Sequence, residues 1–254
     1  MLTKCDAILQ NYRLSIEECG VYQEMAQRKT NSAKVIEFNP ASKLLLSRRE
    51  LIKRPPVTEL GHKIVAATVE EFAANGVQGS RVAEICRRAG TTDPTFYRYF
   101  LGLRQAALFI ISEYYWSPLN QRLKHYRQIT EDPQKLFEAV VTSLIHSADD
   151  DPERPWLAES KVFQIVVAES RNPLLFEDLA LDGEYVGFLA GLEETIKNGQ
   201  QLKVFKTDLR PALLASLLVN SLHGLLAQNR FRFQPFHVAE DEVRRVASNL
   251  VGMK

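Results

Sequence analysis

Apolar residues recur at helical spacing along most of this chain, and short polar stretches separate the apolar ones. The first clear stretch predicts a helix over residues 58–75 that ends at Gly76, because glycine commonly marks the end of a helix. Its apolar positions lie three, four or seven residues apart and form one stripe: Ile64, Val65, Val69, Phe72 and Ala73.

Residues 81–100 have the spacing of a helix, a tight turn and a second, shorter helix. Val82, Ile85 and Ala89 lie on one face of the first helix and would be buried together. Gly90 follows the last of them, and a residue that takes positive φ at little cost commonly ends a helix there. The pattern therefore predicts a helix-turn-helix unit.

The second helix of this unit has its own start signal. Thr92 or Asp93 can cap it, and Pro94 fits the first turn, where its missing N–H loses no helical bond. Phe96 and Phe100 would anchor the helix on the core, because they are four residues apart. The remaining side chains then face outward or along its edges: Thr95, Tyr97, Arg98 and Tyr99.

The rest of the chain predicts further helices, with no alternating pattern typical of strands and no phosphate-binding glycine loop. Pro118 should kink or break the first of these helices near Trp116, and another helix can be interrupted near Gly183. The fold class is therefore all-α. The predicted helices cover residues 104–128, 133–147, 156–170, 174–198, 209–228 and 238–251.

Charge is distributed unevenly although the net charge is only +1. Residues 1–104 hold 16 Lys and Arg against 11 Asp and Glu, whereas residues 105–254 hold 16 against 20. A basic front and an acidic remainder fit a nucleic-acid-binding domain attached to one that does not bind DNA. We divide the chain into an extension (1–57), a head (58–104) and a body (105–254).

The extension is the least informative part. Its residues 42–56 carry five basic side chains and one acidic one before Pro55 and Pro56, and such a segment can lie along phosphates or in a minor groove. A solvated or disordered tail also explains the composition and is the interpretation we favour, because charge runs are usually solvated faces; a true start at Met25 is a further alternative. Asp6 stands where a signal peptide would be apolar, so we expect no signal peptide.

The helix-turn-helix resembles the DNA-binding domain of the tetracycline-repressor (TetR) family of transcriptional regulators. The family pattern is met by Gly90, Thr92, Thr95, Phe96, Tyr97, Tyr99 and Phe100. A helical hairpin that binds no nucleic acid is the alternative for the bare spacing. The family usually has a lysine where this chain has Leu103, and Arg104 can take over its phosphate contact. The resemblance implies double-stranded DNA as a partner, contacted by Arg81, Thr92, Asp93, Pro94, Thr95, Tyr97, Arg98, Tyr99 and Arg104.

In this family the last two long helices pair with their symmetry mates in a homodimer. Residues 209–228 carry more apolar surface than one core face needs, which fits a partner or, equally, a second face inside the same chain. The expected dimer interface comprises Leu214, Leu217, Leu218, Ser221, Leu225, Val243 and Val246.

Residues that could act as nucleophiles, bases or metal ligands are scattered along the chain. The three cysteines have no paired spacing, which fits a reducing cytoplasm, and no nucleophile, base or ligand cluster predicts a catalytic residue, metal or cofactor. Aromatic residues of the body either line an apolar cavity or fill the core. The candidate lining is Trp116, Phe137, His146, Phe163, Val167 and Phe188.

The resemblance implies a homodimeric repressor that reads a pseudo-palindromic operator and leaves it when a small, largely apolar effector binds. It would work in the bacterial cytoplasm, on the nucleoid, without a membrane. A protein of the same fold controlled by a protein partner, or by no effector, remains open. A helical enzyme also remains open, but the sequence shows none of the convergent polar groups that it would need.

Overall fold

The computed structural model describes residues 58–149, 151–169, 183–206, 208–231 and 238–253, and within them the chain forms helices and no strand. This confirms the all-α fold class. The extension lies outside the described residues, as does the predicted start of a helix at 174. In chain order the helices are α1 (Glu59–Gly79), α2 (Val82–Ala89), α3 (Asp93–Tyr99), α4 (Leu103–Ile111), α5 (Ser117–Ile129), α6 (Pro133–Ile145), α7 (Glu159–Glu169), α8 (Gly183–Gln201), α9 (Pro211–Phe231) and α10 (Glu240–Leu250).

The three helices of the head begin and end at the predicted signals. The Thr58 hydroxyl accepts a hydrogen bond from the Gly61 N–H at 3.1 Å and caps α1. At Gly76 the backbone leaves helical geometry with φ of 67°, so the regular part of α1 ends there although a further turn follows. Gly90 ends α2 in the left-handed conformation, with φ of 65°, and Pro94 lies in the first turn of α3.

A π-helical segment, Ser112–Trp116, joins α4 to α5. The sequence predicts a kink or break near Trp116, and the helical path instead continues from residue 103 to 129 through this wider turn. Pro118 has no N–H and its ring crowds the preceding turn of an α-helix. A π turn relieves that crowding without ending the helix, and the Ser117 N–H accordingly reaches back to the Ser112 carbonyl.

The core of the body lies among α5, α6, α8 and α9, in which α6 and α8 contact each other and both of the other two helices. Two glycines of α8 bring helices close: a Cβ at Gly191 would lie 2.7 Å from Leu123, and one at Gly199 would lie 2.1 Å from the Phe205 ring. Phe205 in turn packs on Phe137 of α6 at 5.4 Å between ring centroids. Small residues thus determine how tightly α8 packs.

Helix α9 is apolar on more than one side. Its residues Pro211–Gln228 have a mean hydropathy of 1.2, so this helix is long and apolar enough to cross a membrane by length and composition alone. It packs against α8 and α10, as a core helix does. Leu214, Leu218 and Val243 are buried in this packing, so the expectation that they form a dimer interface is wrong.

Candidate functional site

Helix α3 is held in place from one side only. Phe96 and Phe100 are buried and contact each other at 5.4 Å between ring centroids, and Phe100 continues to Phe109 of α4 at 5.6 Å. The opposite side of α3 is open to solvent: Tyr97 is 54% exposed. The other candidate DNA contacts are exposed, except that Thr95 and Tyr99 are half-buried: Arg81, Thr92, Asp93, Pro94, Arg98 and Arg104.

The start of α3 differs in detail from the expectation. Thr92 occupies the capping position, but its hydroxyl makes no capping bond and meets the Thr95 hydroxyl at 3.2 Å. Asp93 is the first residue of the helix and not its cap. Burial raises the pKa of the Cys86 thiol, and the nearby Asp93 carboxylate raises it further. Asp93 therefore lies close to α2, a placement that the sequence pattern did not indicate.

The residues just after α3 separate into buried and exposed ones. Leu103, which stands at the family's lysine position, is half-buried and packs on the core, whereas Arg104 is exposed. This placement supports Arg104 as the residue that takes over the phosphate contact of the family's lysine. Leu101 is 62% exposed, and the sequence analysis did not single it out.

A charged network fixes α2 against α1. Arg88 reaches the buried Glu71 carboxylate at 3.2 Å and also contacts Glu84 at 3.3 Å. A hydrogen bond from Arg87 lowers the pKa of Glu84 to about 2. The two helices that carry α3 are thus tied together by both apolar packing and ion pairs.

This arrangement of a braced, outward-facing short helix agrees with the comparisons with known proteins. Residues 64–102 match the family model described as bacterial regulatory proteins, tetR family. Residues 64–102 therefore form a DNA-binding domain of the tetR type. The chain is a DNA-binding transcriptional regulator, and the matched family, like the curated relatives, consists of regulators and not of enzymes.

Comparisons with individual proteins extend beyond the head and cover most of the chain. The transcriptional repressor NicS of Pseudomonas putida is 27% identical over 174 residues, which are 68% of this chain and 78% of NicS. FadR of Bacillus subtilis in complex with stearoyl-CoA has a TM-score of 0.61 and 20% identity, covering 76% of this chain and 98% of FadR. AibR in complex with isovaleryl-CoA and operator DNA has a TM-score of 0.56 and 16% identity, covering 75% and 97%.

The aromatic residues predicted to line a cavity fill the core instead. Trp116, Phe163 and Phe188 are buried and pack around His223, Tyr115 and Tyr185. Phe137 is buried elsewhere, against Phe205, and Val167 is half-buried. Of the six candidates, His146 lines the surface cleft described next. Aromatic rings at helical spacing indicate burial, and the packing of the other candidates agrees with that.

A cleft of about 210 Å³ lies at the surface of the body. Three segments meet there: the π segment with the start of α5, the turn after α6, and the chain leading into α7. Both aromatic and charged side chains form its walls. They are Tyr114, Tyr115, Pro118, Arg122, His146, Ser147, Asp149, Asp151, Pro152, Arg154 and Glu159.

A hydrogen-bonded path leads from this cleft into the aromatic core. The Tyr115 hydroxyl lies 3.1 Å from the Ser147 hydroxyl and 2.6 Å from the Nε2 atom of His223. Burial lowers the pKa of His223 to about 4, so the imidazole is neutral at pH 7, and burial also raises the pKa of Tyr115. Beside them, the buried Nε1 of Trp116 has no acceptor among the described residues.

Proposed function

We propose that this regulator is a homodimeric repressor whose two copies of α3 enter successive major grooves of a pseudo-palindromic operator. The observation that carries the proposal is the one-sided anchoring of α3 by Phe96 and Phe100, which leaves Thr95, Tyr97 and Arg98 outward. A helix fixed in this way presents side chains to base edges and phosphates. The protein would work in the cytoplasm on the bacterial nucleoid.

Because Leu214, Leu218 and Val243 are buried within the chain, the dimer face that we propose is the outer stripe of α9. Leu217, Ser221 and Leu225 are half-buried on this stripe, and Val246 of α10 is 37% exposed. The stripe is continued by the exposed Ser216, Asn220 and Gly224. Small and apolar side chains on one line allow a second α9 to pack closely.

We assign effector binding to the cleft. An effector releases DNA only by binding the non-binding form more tightly, and ordinary coupling corresponds to about 1–3 kcal/mol. The cleft offers tyrosine rings for an apolar part and the Arg122 side chain for an anionic part. The acyl-CoA complexes of FadR and AibR support a CoA thioester as the first class to test.

The alternative, control by a protein partner or by no effector, is favoured by one observation. The aromatic cluster around Trp116 is closely packed, with Trp116 and Phe188 ring centroids 5.7 Å apart, so the centre of the body is filled. An effector would then have to act from the surface cleft alone.

Selection of bound sequences from random DNA, followed by fluorescence anisotropy with the selected operator, tests the DNA-binding part. Arg98→Ala should weaken binding by about tenfold or more, because it removes a charged contact. Stearoyl-CoA and isovaleryl-CoA are then titrated into the complex. Release by either supports the effector proposal, whereas operator binding that no acyl-CoA changes favours the alternative.

A further inference from the structure

One loop joins the cleft to the head. Residues 151–158 lead into α7, and they carry Arg154 at the cleft and Trp156 at the head. The Trp156 ring is stacked on the His62 imidazole of α1, with centroids 4.2 Å apart and planes within 7° of parallel. Trp156 also meets the Tyr114 ring edge-on at 5.8 Å, and Tyr114 is a wall of the cleft.

On the side that faces the cleft, charged side chains hold the contact between Trp156 and Tyr114 in place. The Arg154 guanidinium lies 5.7 Å from the centroid of the Tyr114 ring and pairs with Asp151 at 2.9 Å and with Glu159 at 3.1 Å. Glu159 is buried, so separating this pair would leave an uncompensated charge. A molecule that binds in contact with Tyr114 and Arg154 therefore contacts the groups that hold Trp156 in place.

Other contacts also join α1 to α7. The Gln164 amide donates to the Ala73 carbonyl at 3.0 Å, and the Val77 N–H donates to the Glu169 carboxylate at 3.1 Å. Lys161 pairs with Glu70. None of these side chains lines the cleft, whereas Trp156 packs directly on one of its walls.

We propose that the stack of Trp156 on His62 couples occupancy of the cleft to the position of the DNA-binding head. The proposal rests on the proposed function, since it requires operator binding. Two heads must adopt one spacing to fit successive major grooves, and a head that is free to move loses entropy on binding. An occupant that displaces Trp156 frees the head and weakens DNA binding.

A covalent occupant of known structure tests this coupling without a known effector. Ser147 lines the cleft and is half-buried, so Ser147→Cys can carry a benzyl group added with benzyl methanethiosulfonate. Cys5 and Cys19 are replaced by Ser, and Cys86 stays because it is buried. Trp116→Phe in the same protein leaves Trp156 as its one tryptophan, since the chain has two.

We expect the benzyl label to weaken operator binding by about tenfold, within the range of ordinary allosteric coupling, and to shift the emission of Trp156. In a His62→Ala background the unlabelled protein should bind about three- to tenfold more weakly, and the label should change binding by less than twofold. His62→Phe keeps an aromatic stack and should restore both the tighter binding and the response to the label.

Two controls exclude general damage. Asn198→Cys, exposed on α8 and not a wall of the cleft, should bind the operator equally well with and without the label. Lys161→Ala removes another contact between α1 and α7 and should keep the response. Melting temperatures show that each variant is folded.

The outcomes separate the two proposals. If the wild-type protein selects no DNA sequence, the proposed function fails and this inference fails with it. If the Ser147→Cys protein binds DNA but the label changes neither affinity nor Trp156 emission, the coupling is overturned while the proposed function stands. An equal effect of the label in the His62→Ala background overturns it as well.

Discussion

At the scale of single residues, Asp93 is the most informative position in the head. It is exposed at the start of α3, and its carboxylate adds to the effect of burial in raising the pKa of the Cys86 thiol of α2. A carboxylate facing DNA is repelled by phosphates, and it belongs there if it accepts from cytosine N4. Its position close to α2 now provides a second reason for its presence.

Asp93→Asn distinguishes these two roles. Asn keeps a side-chain oxygen at this position but gains a donor and prefers adenine, so preference at one position per half-site should change by about 1–3 kcal/mol. Binding to a set of single-base operator variants measures this change. If only Asp93→Ala has an effect, and that effect is on the melting temperature, Asp93 has no base-reading role.

His223 predicts how stability depends on pH. Its pKa is about 4 in the folded protein and near 6.5 when unfolded, so between these values the unfolded chain binds the proton. The free energy of unfolding is therefore highest above pH 6.5 and falls as the pH drops, by up to about 3 kcal/mol at pH 4. Urea unfolding of wild type and His223→Gln from pH 7 to 4 measures the difference.

The Gln variant is the control for the carboxyl groups that titrate in the same range. They contribute to both proteins, so the stability difference between wild type and His223→Gln isolates the histidine. A difference that stays constant from pH 7 to 4 would show that His223 is accessible to protons in the folded state.

At the scale of elements, Gly199 shows how closely α8 meets the turn that follows it. A Cβ there would overlap the Phe205 ring, so Gly199→Ala should lower stability by about 1–3 kcal/mol through overpacking. That corresponds to about 2–4 °C in Tm for each kcal/mol, which calorimetry detects. The same substitution in a Phe205→Ala background should cost less, and an equal cost there would assign the effect to the backbone.

The elements also show what the sequence could predict. Gly90 and Pro94 act on their own neighbours, so local patterns suffice to place α2 and α3. At Pro118 the same local reasoning predicts a disruption but cannot choose between a break and a π turn, because packing on both sides keeps the helical path together. Leu214 and Leu217 look alike in sequence, and only the fold buries the first and leaves the second half-buried.

The cleft is beyond prediction from the sequence for a related reason. Tyr114, Ser147 and Arg154 come from different segments, and nothing in their spacing indicates that they meet. His146 lines this cleft, although the sequence analysis grouped it with aromatic residues that are buried elsewhere. Binding sites assembled from loops depend on tertiary contacts, whereas α3 is a local unit.

At the scale of the whole molecule, assembly decides whether two heads can act together. Leu217→Glu would place an unpaired charge in the outer stripe of α9 and should convert the dimer to a monomer. Light scattering measures the mass, and operator binding should be lost with the dimer, because one short helix contacts too few bases. Leu202→Glu, at an apolar residue that is 65% exposed outside the stripe, should remain dimeric.

The π segment has a consequence for how such a chain can change by insertion and deletion. A π turn holds one residue more than an α turn, and this one lies on the continuous path from the head to the body. Because the wider turn absorbs that extra residue, removing one residue from Ser112–Trp116 would leave the head facing nearly the same way, but it would bring back the crowding at Pro118. A residue can therefore be gained or lost in this segment with little change in the direction in which α3 faces.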